Sequence, residues 1–279
     1  MVRLDLFALA RDNEIPLSKQ LDDRRATLSS PDAARFDLFC QNVKERGGVS
    51  VNMKPKKLFM FLDSGRYLSA AELASVRAAG SGRTPDEQLR LDQGKHYAPR
   101  VLFEGSFEQG EHFLYGALNI GGAGAAEYGI FCAFLDDDLM RGLPGAFLPD
   151  NSLELYVKPA PVLALDESGL RRDVAAPAQR HCLAALKHEN DLPTTDAVGW
   201  AEMLCCRERF VEAVFVGDIA PGQVKEFRVK RDEFVRLYDL GFNDMLGTLD
   251  PSDRVELEEF NKTMTKLETL RLAASIREV

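Results

Sequence analysis

The chain has 279 residues, of which 45% are hydrophobic and 28% are charged, so it has the composition of a globular protein with a sizeable core. Its net charge of −9 argues against sequence-independent binding to nucleic acid or anionic lipid, because such binding needs a surplus of lysine and arginine. No stretch approaches the roughly 20 apolar residues that cross a bilayer, so we expect no membrane contact.

Cysteine and histidine spacing gives no sign of a disulfide framework or a metal site. The five cysteines include no CxxC pair, and the four histidines are scattered along the chain. No GxSxG, HExxH, EF-hand or kinase motif is present either. We therefore predict reduced, mostly buried thiols and no metal ligands.

The N-terminal third predicts helices around one strand. Ser30 as N-cap, Pro31 at the first helical position and Gly47 at the end predict a capped helix. The alternating run VSVNMKP (49–55) predicts a first strand that stops at a proline. A second helix is predicted over 68–79, and a charged loop bounded by glycines over 80–94.

The rest of the chain predicts short strands with helices between and after them. Strands are predicted over 101–107, 113–120, 128–137, 152–157, 210–219 and 224–229. Helices are predicted over 177–188 and 197–208, and a long one from Asp250 to Arg277 with Pro251 at its first position. Short strands with grouped helices indicate an α+β fold and not alternating βαβ units.

The run FVEAVFVGDI (210–219) carries a carboxylate in an otherwise apolar strand. Strand alternation puts Glu212 on the same face as Val214, whereas Ala213 and Phe215 lie on the other face. A buried carboxylate is costly unless it is paired or used, so Glu212 is the leading functional candidate. The alternative is that Glu212 occupies an edge strand and faces solvent.

The segment RFVEAVFVGDIAPGQVKEFRV (209–229) resembles the terminal signature of a bacterial family of uncharacterised domains with an ADP-ribosyltransferase-like fold. It also distantly resembles DarT-type DNA-modifying toxins. Four further segments resemble that family in the expected order, namely VSVNMKP (49–55), FLYGALNI (113–120), GAAEYGIFCAFLDD (124–137) and LPDNSL (148–153). Two departures are that Lys54 stands where the family often has histidine, and that LPGAF (143–147) replaces an arginine-threonine pair.

This resemblance implies an α+β fold with an ADP-ribosyltransferase-like split β-sheet core, flanking helices and a long C-terminal helix. It divides the chain into an N-terminal helical segment (1–48), the transferase-like domain (49–230) and a C-terminal helical extension (231–279). It also implies that NAD is the cofactor.

The resemblance further implies roles for individual residues. Glu212 is the catalytic acid, Tyr128 or Tyr115 stacks on nicotinamide, and Ser152 supports Glu212 or the ribose. The implied cofactor-binding residues are Asn52, Lys54, Arg66, Arg100, Tyr115, Gly116, Asn119 and Gly129. Among them, Arg66 and Arg100 are rival anchors for the NAD phosphates, because arginine grips phosphate with two hydrogen bonds.

Two functions are consistent with these features. The first is an NAD-dependent mono-ADP-ribosyltransferase, a bacterial toxin or effector that modifies a protein or nucleic acid, with a related form that hydrolyses NAD. Such a protein would be cytoplasmic, or delivered into the cytosol of a target cell by a secretion system. The second is a non-catalytic interaction protein on a degenerate transferase fold, with an immunity or adaptor role. Either form could contact a partner protein or a second copy through the C-terminal helix.

Overall fold

The computed structural model describes residues 3–158 and 162–277, with the side chains of residues 276 and 277 left out. Three short stretches lie outside the described residues, namely 1–2, 159–161 and 278–279. They belong to the predicted N-terminal, central and C-terminal segments, respectively. The described chain confirms an α+β fold in which helices surround one large sheet.

The helices, in chain order, are α1 (Leu6–Asp12), α2 (Glu14–Ala26), α3 (Ser30–Arg46), α4 (Pro55–Ser64), α5 (Ala70–Ala79), α6 (Pro85–Gln93), α7 (Tyr97–Gly105), α8 (Asp137–Gly142), α9 (Ser152–Leu155), α10 (Glu167–Asp173), α11 (Arg180–Lys187), α12 (Trp200–Leu204), α13 (Arg231–Met245) and α14 (Pro251–Thr269). The strands are β1 (Gly48–Met53), β2 (Leu114–Asn119), β3 (Phe131–Leu135), β4 (Gly145–Leu148), β5 (Val157–Lys158), β6 (Ala164–Leu165), β7 (Glu212–Phe215), β8 (Val224–Lys230) and β9 (Ala274–Arg277). None of the helices in the described ranges combines the length and the apolar character that a membrane span requires.

Seven strands form one sheet in the order β4-β7-β2-β1-β3-β8-β9, and β5 pairs with β6 in a separate ribbon. The neighbours in the large sheet are antiparallel except for β8 and β9, which are parallel. The large sheet is continuous in the described residues, and the finer assignment to an ADP-ribosyltransferase-like split β-sheet core stays a prediction. Strand β7 lies inside the sheet between β4 and β2, so its side chains can be buried on both faces.

The two faces of the sheet differ in polarity. One face is apolar throughout and packs on α3, α4, α11 and α14 to form the main core. The strand register gives the composition of the other face, because residues paired across antiparallel strands share a face. That face carries the polar side chains Glu212, Tyr115, Ser50, Asn52, Asn119, Arg228 and Glu226. Helices α1, α7 and α9 cover its β4-β7-β2 end with a second apolar cluster.

Three predicted segments have a different secondary structure from the one expected. Residues 101–107, predicted as a strand, belong mostly to helix α7, and residues 152–157 form α9 followed by the start of β5. The predicted loop over 80–94 contains α6, which begins with a capping box between Thr84 and Glu87 and has Pro85 at its first position. Helix α3 forms as predicted, but Ser29 rather than Ser30 caps it, since the Ser29 hydroxyl accepts from the N–H of Asp32.

The C-terminal helix is shorter than predicted. It starts at Pro251 as expected and ends at Thr269, after which Arg271 adopts a left-handed backbone with φ of 56°. The chain then returns to the sheet as β9, so the segment after 230 supplies a strand as well as helices. The buried face of α14 packs on α4, and its Phe260 ring stacks on Phe131 of β3 with 5.6 Å between ring centroids.

We expect Phe260→Ala to lower the free energy of unfolding by about 3 kcal/mol, because the change removes a buried ring and leaves a cavity against Phe131. Val255→Ala, at an exposed position on the same helix, should change it by less than about 0.5 kcal/mol. Urea unfolding followed by circular dichroism measures both values. Equal effects of the two variants would show that α14 is not anchored through this ring pair.

Candidate functional site

Glu212 is buried in the interior of the sheet. It opens β7, lies opposite Ala117 of β2 and Leu148 of β4, and its side chain is only 7% exposed. The alternative of a solvent-facing glutamate on an edge strand is therefore wrong. One carboxylate oxygen, Oε2, accepts a hydrogen bond of 2.9 Å from the backbone N–H of Ser152, the first residue of α9.

A second buried carboxylate and an arginine lie next to Glu212. Arg100 on α7 donates to Glu104 Oε1 at 2.7 Å, and the hydroxyl of Tyr115 donates to the same oxygen at 3.1 Å. The guanidinium of Arg100 also lies 4.7 Å from the centroid of the Tyr115 ring. Tyr115 shares a sheet face with Glu212 and lies on β2 two residues from Ala117, the partner of Glu212, so α7 places this group beside the Glu212 carboxylate.

The electrostatics of the site follow from burial. Burial raises the pKa of Glu212 to about 7, while the polar groups of Ser152 and the charge of Arg100 favour the ionised form and limit the rise. Burial also raises the pKa of Glu104, although Arg100 and Tyr115 oppose it. Of the two buried carboxyl groups, Glu104 is therefore bound by Arg100, whereas Glu212 exchanges its proton near neutral pH.

Ser152 and Tyr128, the other two predicted catalytic residues, differ in their exposure. Ser152 is fully buried, and its Oγ makes no well-aligned hydrogen bond among the described residues, although it lies close enough to Glu212 to favour the ionised carboxylate. Tyr128 is 42% exposed, and its ring lies 5.7 Å from Phe210, two residues before Glu212. Burial raises the pKa of Tyr128 and the charge of Glu212 adds to the rise, which places Tyr128 within electrostatic reach of Glu212.

Asn119 and Asn52 hold the glycine-rich turn between β2 and β3. Oδ1 of the buried Asn119 accepts from the N–H groups of Gly121 and Gly122, both at 2.8 Å, and its amide donates to the carbonyl of Gly122. Nδ2 of Asn52 donates to the carbonyl of Gly129 at 2.9 Å. Both asparagines thus satisfy backbone groups, and in this arrangement they position the turn rather than point to open space.

Two glycines are required by the packing of the backbone. A Cβ atom on Gly116 would lie 2.7 Å from the carbonyl oxygen of Ser50 on β1, so a side chain there would clash. Gly129 has φ of 154°, and a Cβ atom on it would lie 2.0 Å from the carbonyl carbon of Met53. Close strand packing explains both glycines without a ligand.

The other two predicted cofactor residues are not joined to Glu212 by the described contacts. Arg66 forms ion pairs with Asp218 at 3.1 Å and Glu72 at 3.0 Å on the surface. Lys54 is exposed and precedes α4 without a side-chain capping bond. Arg100 is therefore the predicted phosphate anchor that lies at the site, and in this structure its partner is Glu104.

Glu104 is a site residue that sequence reasoning missed. Its segment was predicted as a strand, in which residues 100 and 104 would share a face but lie about 13 Å apart, too far for an ion pair. On a helix, an arginine and a glutamate four residues apart are neighbours, so this spacing was the available signal.

The site is closed in this structure. Two shallow surface depressions are lined by Asp136 with Val224 and by Phe59 with Lys266, and Glu212 lines neither of them. Among the described residues, no group of three or more His, Cys, Asp or Glu side chains is placed to hold a metal ion. All five cysteines are free, and only Cys206 is not buried, which confirms the prediction of reduced, mostly buried thiols.

A scan against models of protein families gives no match, and a search of curated proteins gives none either. Support for a function therefore comes from the chemistry around Glu212 and from the ordered sequence resemblance.

We expect Asn119→Ala to lower the free energy of unfolding by roughly 2 to 4 kcal/mol, because it leaves two buried N–H groups of the glycine turn without an acceptor. Asn261→Ala, at an exposed position on α14, is the matched control and should have almost no effect. Thermal and urea unfolding of the two variants provide the comparison. A loss below about 1 kcal/mol for Asn119→Ala would mean that water replaces the side chain at the turn.

The raised pKa of Glu212 also predicts a pH dependence of stability. The folded state holds the proton up to a pH of about 7, whereas the unfolded state releases it near the ordinary value of 4.5. Stability from this group is therefore complete below pH 4.5 and is lost as the pH rises to about 7. Relative to Glu212→Gln, the wild type should lose up to about 3 kcal/mol over that interval.

The measurement is the free energy of unfolding of both proteins at several pH values. The other titrating groups, Glu104 included, are present in both and cancel in the difference. Glu108→Gln, at an exposed position, is the matched control for the loss of one carboxylate. A constant difference for Glu212→Gln would contradict a raised pKa at this carboxylate.

Proposed function

We propose that this protein is an NAD-dependent mono-ADP-ribosyltransferase with an ADP-ribosyltransferase-like fold, and that Glu212 is its catalytic acid. The observation that carries the proposal is the position of Glu212, which is a carboxylate inside the sheet with a pKa of about 7, beside Ser152, Tyr115 and Arg100. The ordered resemblance of five segments supports the same assignment. Titratable groups with pKa values shifted in this way cluster at functional sites.

The chemistry of NAD cleavage needs such a carboxylate. The bond that breaks joins C1′ of the ribose to nicotinamide, which leaves with the electron pair, and positive charge develops on the ribose. A nearby carboxylate stabilises that charge and accepts a hydrogen bond from a ribose hydroxyl. The nucleophile of the acceptor then bonds to C1′ and loses its proton; when the nucleophile is water, the result is hydrolysis of NAD.

The remaining residues have supporting roles in this proposal. The half-exposed ring of Tyr128 is available to stack on nicotinamide, and the buried hydroxyl of Ser152 would support Glu212 or, once the site opens, a ribose hydroxyl. Arg100 and Tyr115 hold Glu104 and keep a positive charge near Glu212. The acceptor is a protein or nucleic acid, and the protein would act as a bacterial toxin or effector, either in the cytoplasm or delivered into a target cell.

One observation favours a second function. Glu212 is closed off, and neither surface depression reaches it, so the side chains that cover it must move before NAD can make contact. A degenerate transferase fold that serves as an interaction protein would not need that movement. Calorimetric titration with NAD separates the two, since the interaction protein should show no saturable binding.

We expect Glu212→Gln to reduce nicotinamide release from NAD by about 100-fold or more, because an amide cannot supply the negative charge that stabilises the ribosyl cation. Glu108→Gln, an exposed position whose side chain contacts no polar partner in ranges 3–158 and 162–277, should keep wild-type activity. Chromatographic assay of nicotinamide at pH 8, where Glu212 is ionised, measures the effect.

Glu212→Gln matches the size of the native side chain, so unfolding curves at pH 5 should show that it folds like the wild type. Equal nicotinamide release by the wild type and Glu212→Gln would refute Glu212 as the catalytic acid. Absence of release and of NAD binding in the wild type would refute the transferase function itself.

A further inference from the structure

Helix α13 exposes an apolar stripe along its outer face. The stripe consists of Val235, Tyr238, Phe242 and Met245, which are 48%, 73%, 58% and 85% exposed. Their spacing of three, four and three residues is that of a helix-pairing seam. Leu237 on the inner face is buried and contributes to the main core, so α13 is anchored while its outer stripe stays open.

The stripe is large enough to be an interface. Large side chains bury about 150 to 250 Å² each when fully covered, so these exposures together with that of Leu246 leave on the order of 600 Å² of apolar surface. That area is at the upper end of patches on monomeric proteins, which are about 300 to 600 Å². A stable interface of standard size buries about 800 Å² on each partner. The apolar stripe together with the charged residues along its edge is close to that area.

One edge of the stripe is acidic. Asp232 precedes Val235 by three residues and Asp239 precedes Phe242 by three, so the two aspartates follow the same edge. Both are exposed, and the ion pairs found among the described residues include neither of them. Arg236, the cation beyond this edge, is already bound to Glu233 and Glu256. The edge therefore presents negative charge that a partner has to match.

A second copy of the chain does not match it. The opposite edge of the stripe carries Phe234 and Gly241, which have no charge. An antiparallel pair of α13 helices would bring Asp239 of each copy to the same side, where like charges repel. A parallel pair would place the aspartates against Phe234 and Gly241, again without a cation. The occupant that fits is a helix with apolar residues at the same spacing and a basic edge.

We propose that α13 is a docking surface for an amphipathic helix of another protein, which carries large apolar side chains along one stripe and lysine or arginine along its edge. Tyr238 and Phe242 are the central anchors, because aromatic side chains in the middle of an interface carry most of its binding energy. Asp232 and Asp239 select the basic edge and speed the encounter. This surface does not depend on Glu212 and holds whether or not the protein cleaves NAD.

The test uses two synthetic helical peptides of about three heptads, both with leucine along the stripe. One has lysine along its edges and the other has glutamate. Fluorescence anisotropy with the full chain should show saturable binding of the lysine peptide and at least tenfold weaker binding of the glutamate peptide. Phe242→Ser should abolish binding, and the double variant Asp232→Lys with Asp239→Lys should reverse the preference.

Val198→Ser, an exposed valine outside α13, is the matched control and should bind like the wild type. Equal binding of both peptides, or lysine-peptide binding that survives Phe242→Ser, would overturn the proposal. So would a dimer of the free chain in sedimentation analysis that Phe242→Ser dissociates, since the occupant would then be a second copy. Binding to phosphatidylcholine vesicles that is lost in Phe242→Ser would assign the stripe to a lipid surface instead.

Discussion

The burial of one carboxylate in an apolar strand determines how this part of the protein is built. An ionised carboxylate in the interior costs several kcal/mol unless neighbouring groups offset the loss of water. At Glu212 the N–H of Ser152 provides a hydrogen bond and Arg100 provides positive charge. These two groups offset only part of the cost, so the carboxyl keeps its proton up to a pH of about 7. Helices α9 and α7, which pack on this end of the sheet through apolar side chains, carry Ser152 and Arg100 to the positions where they meet this requirement.

The same requirement extends over the polar face of the sheet, and it is met differently along its length. In the centre, the turn after β2 satisfies Asn119 and Asn52, and Arg228 donates to the carbonyl of Gly122 at 3.0 Å. These groups are paired with the protein itself and stabilise the turn. At the β7 end the pairing is incomplete, because the Oγ of Ser152 makes no well-aligned hydrogen bond among the described residues and Glu212 is only about half ionised at pH 7. The polar groups around Glu212 are therefore paired less completely than those at the turn.

Much of the sheet could be predicted from the sequence, β1 from its alternation and β2, β3, β7 and β8 from their strand-forming and largely apolar composition. Helices α7 and α9 could not, since VLFEGSF has the aromatic and β-branched composition of a strand and α9 is too short to show a helical period. The C-terminal pattern stays apolar beyond Thr269, but Arg271 turns the chain back to the sheet. The sequence pointed to four residues that the structure brings together at the site, namely Glu212, Ser152, Tyr115 and Arg100. It did not point to Glu104, because the segment of Glu104 was predicted as a strand and is a helix. The roles of Asn119 and Asn52 depend on long-range contacts that spacing does not encode.

The burial of Glu212 both closes the site and raises the pKa of the carboxyl. A cationic ligand that enters the site would change both. Burial disfavours the charged form of Glu212, and a neighbouring positive charge favours it. The nicotinamide ring of NAD is positively charged, so its entry next to Glu212 would lower the pKa of this carboxyl and release the proton. By linkage, ionising Glu212 strengthens binding of the cation by the same factor. In the proposed function, the proton that stabilises the closed protein is thus displaced by the substrate that needs the charge, and Arg100, held by Glu104, prevents the carboxyl from binding that proton too tightly to give it up.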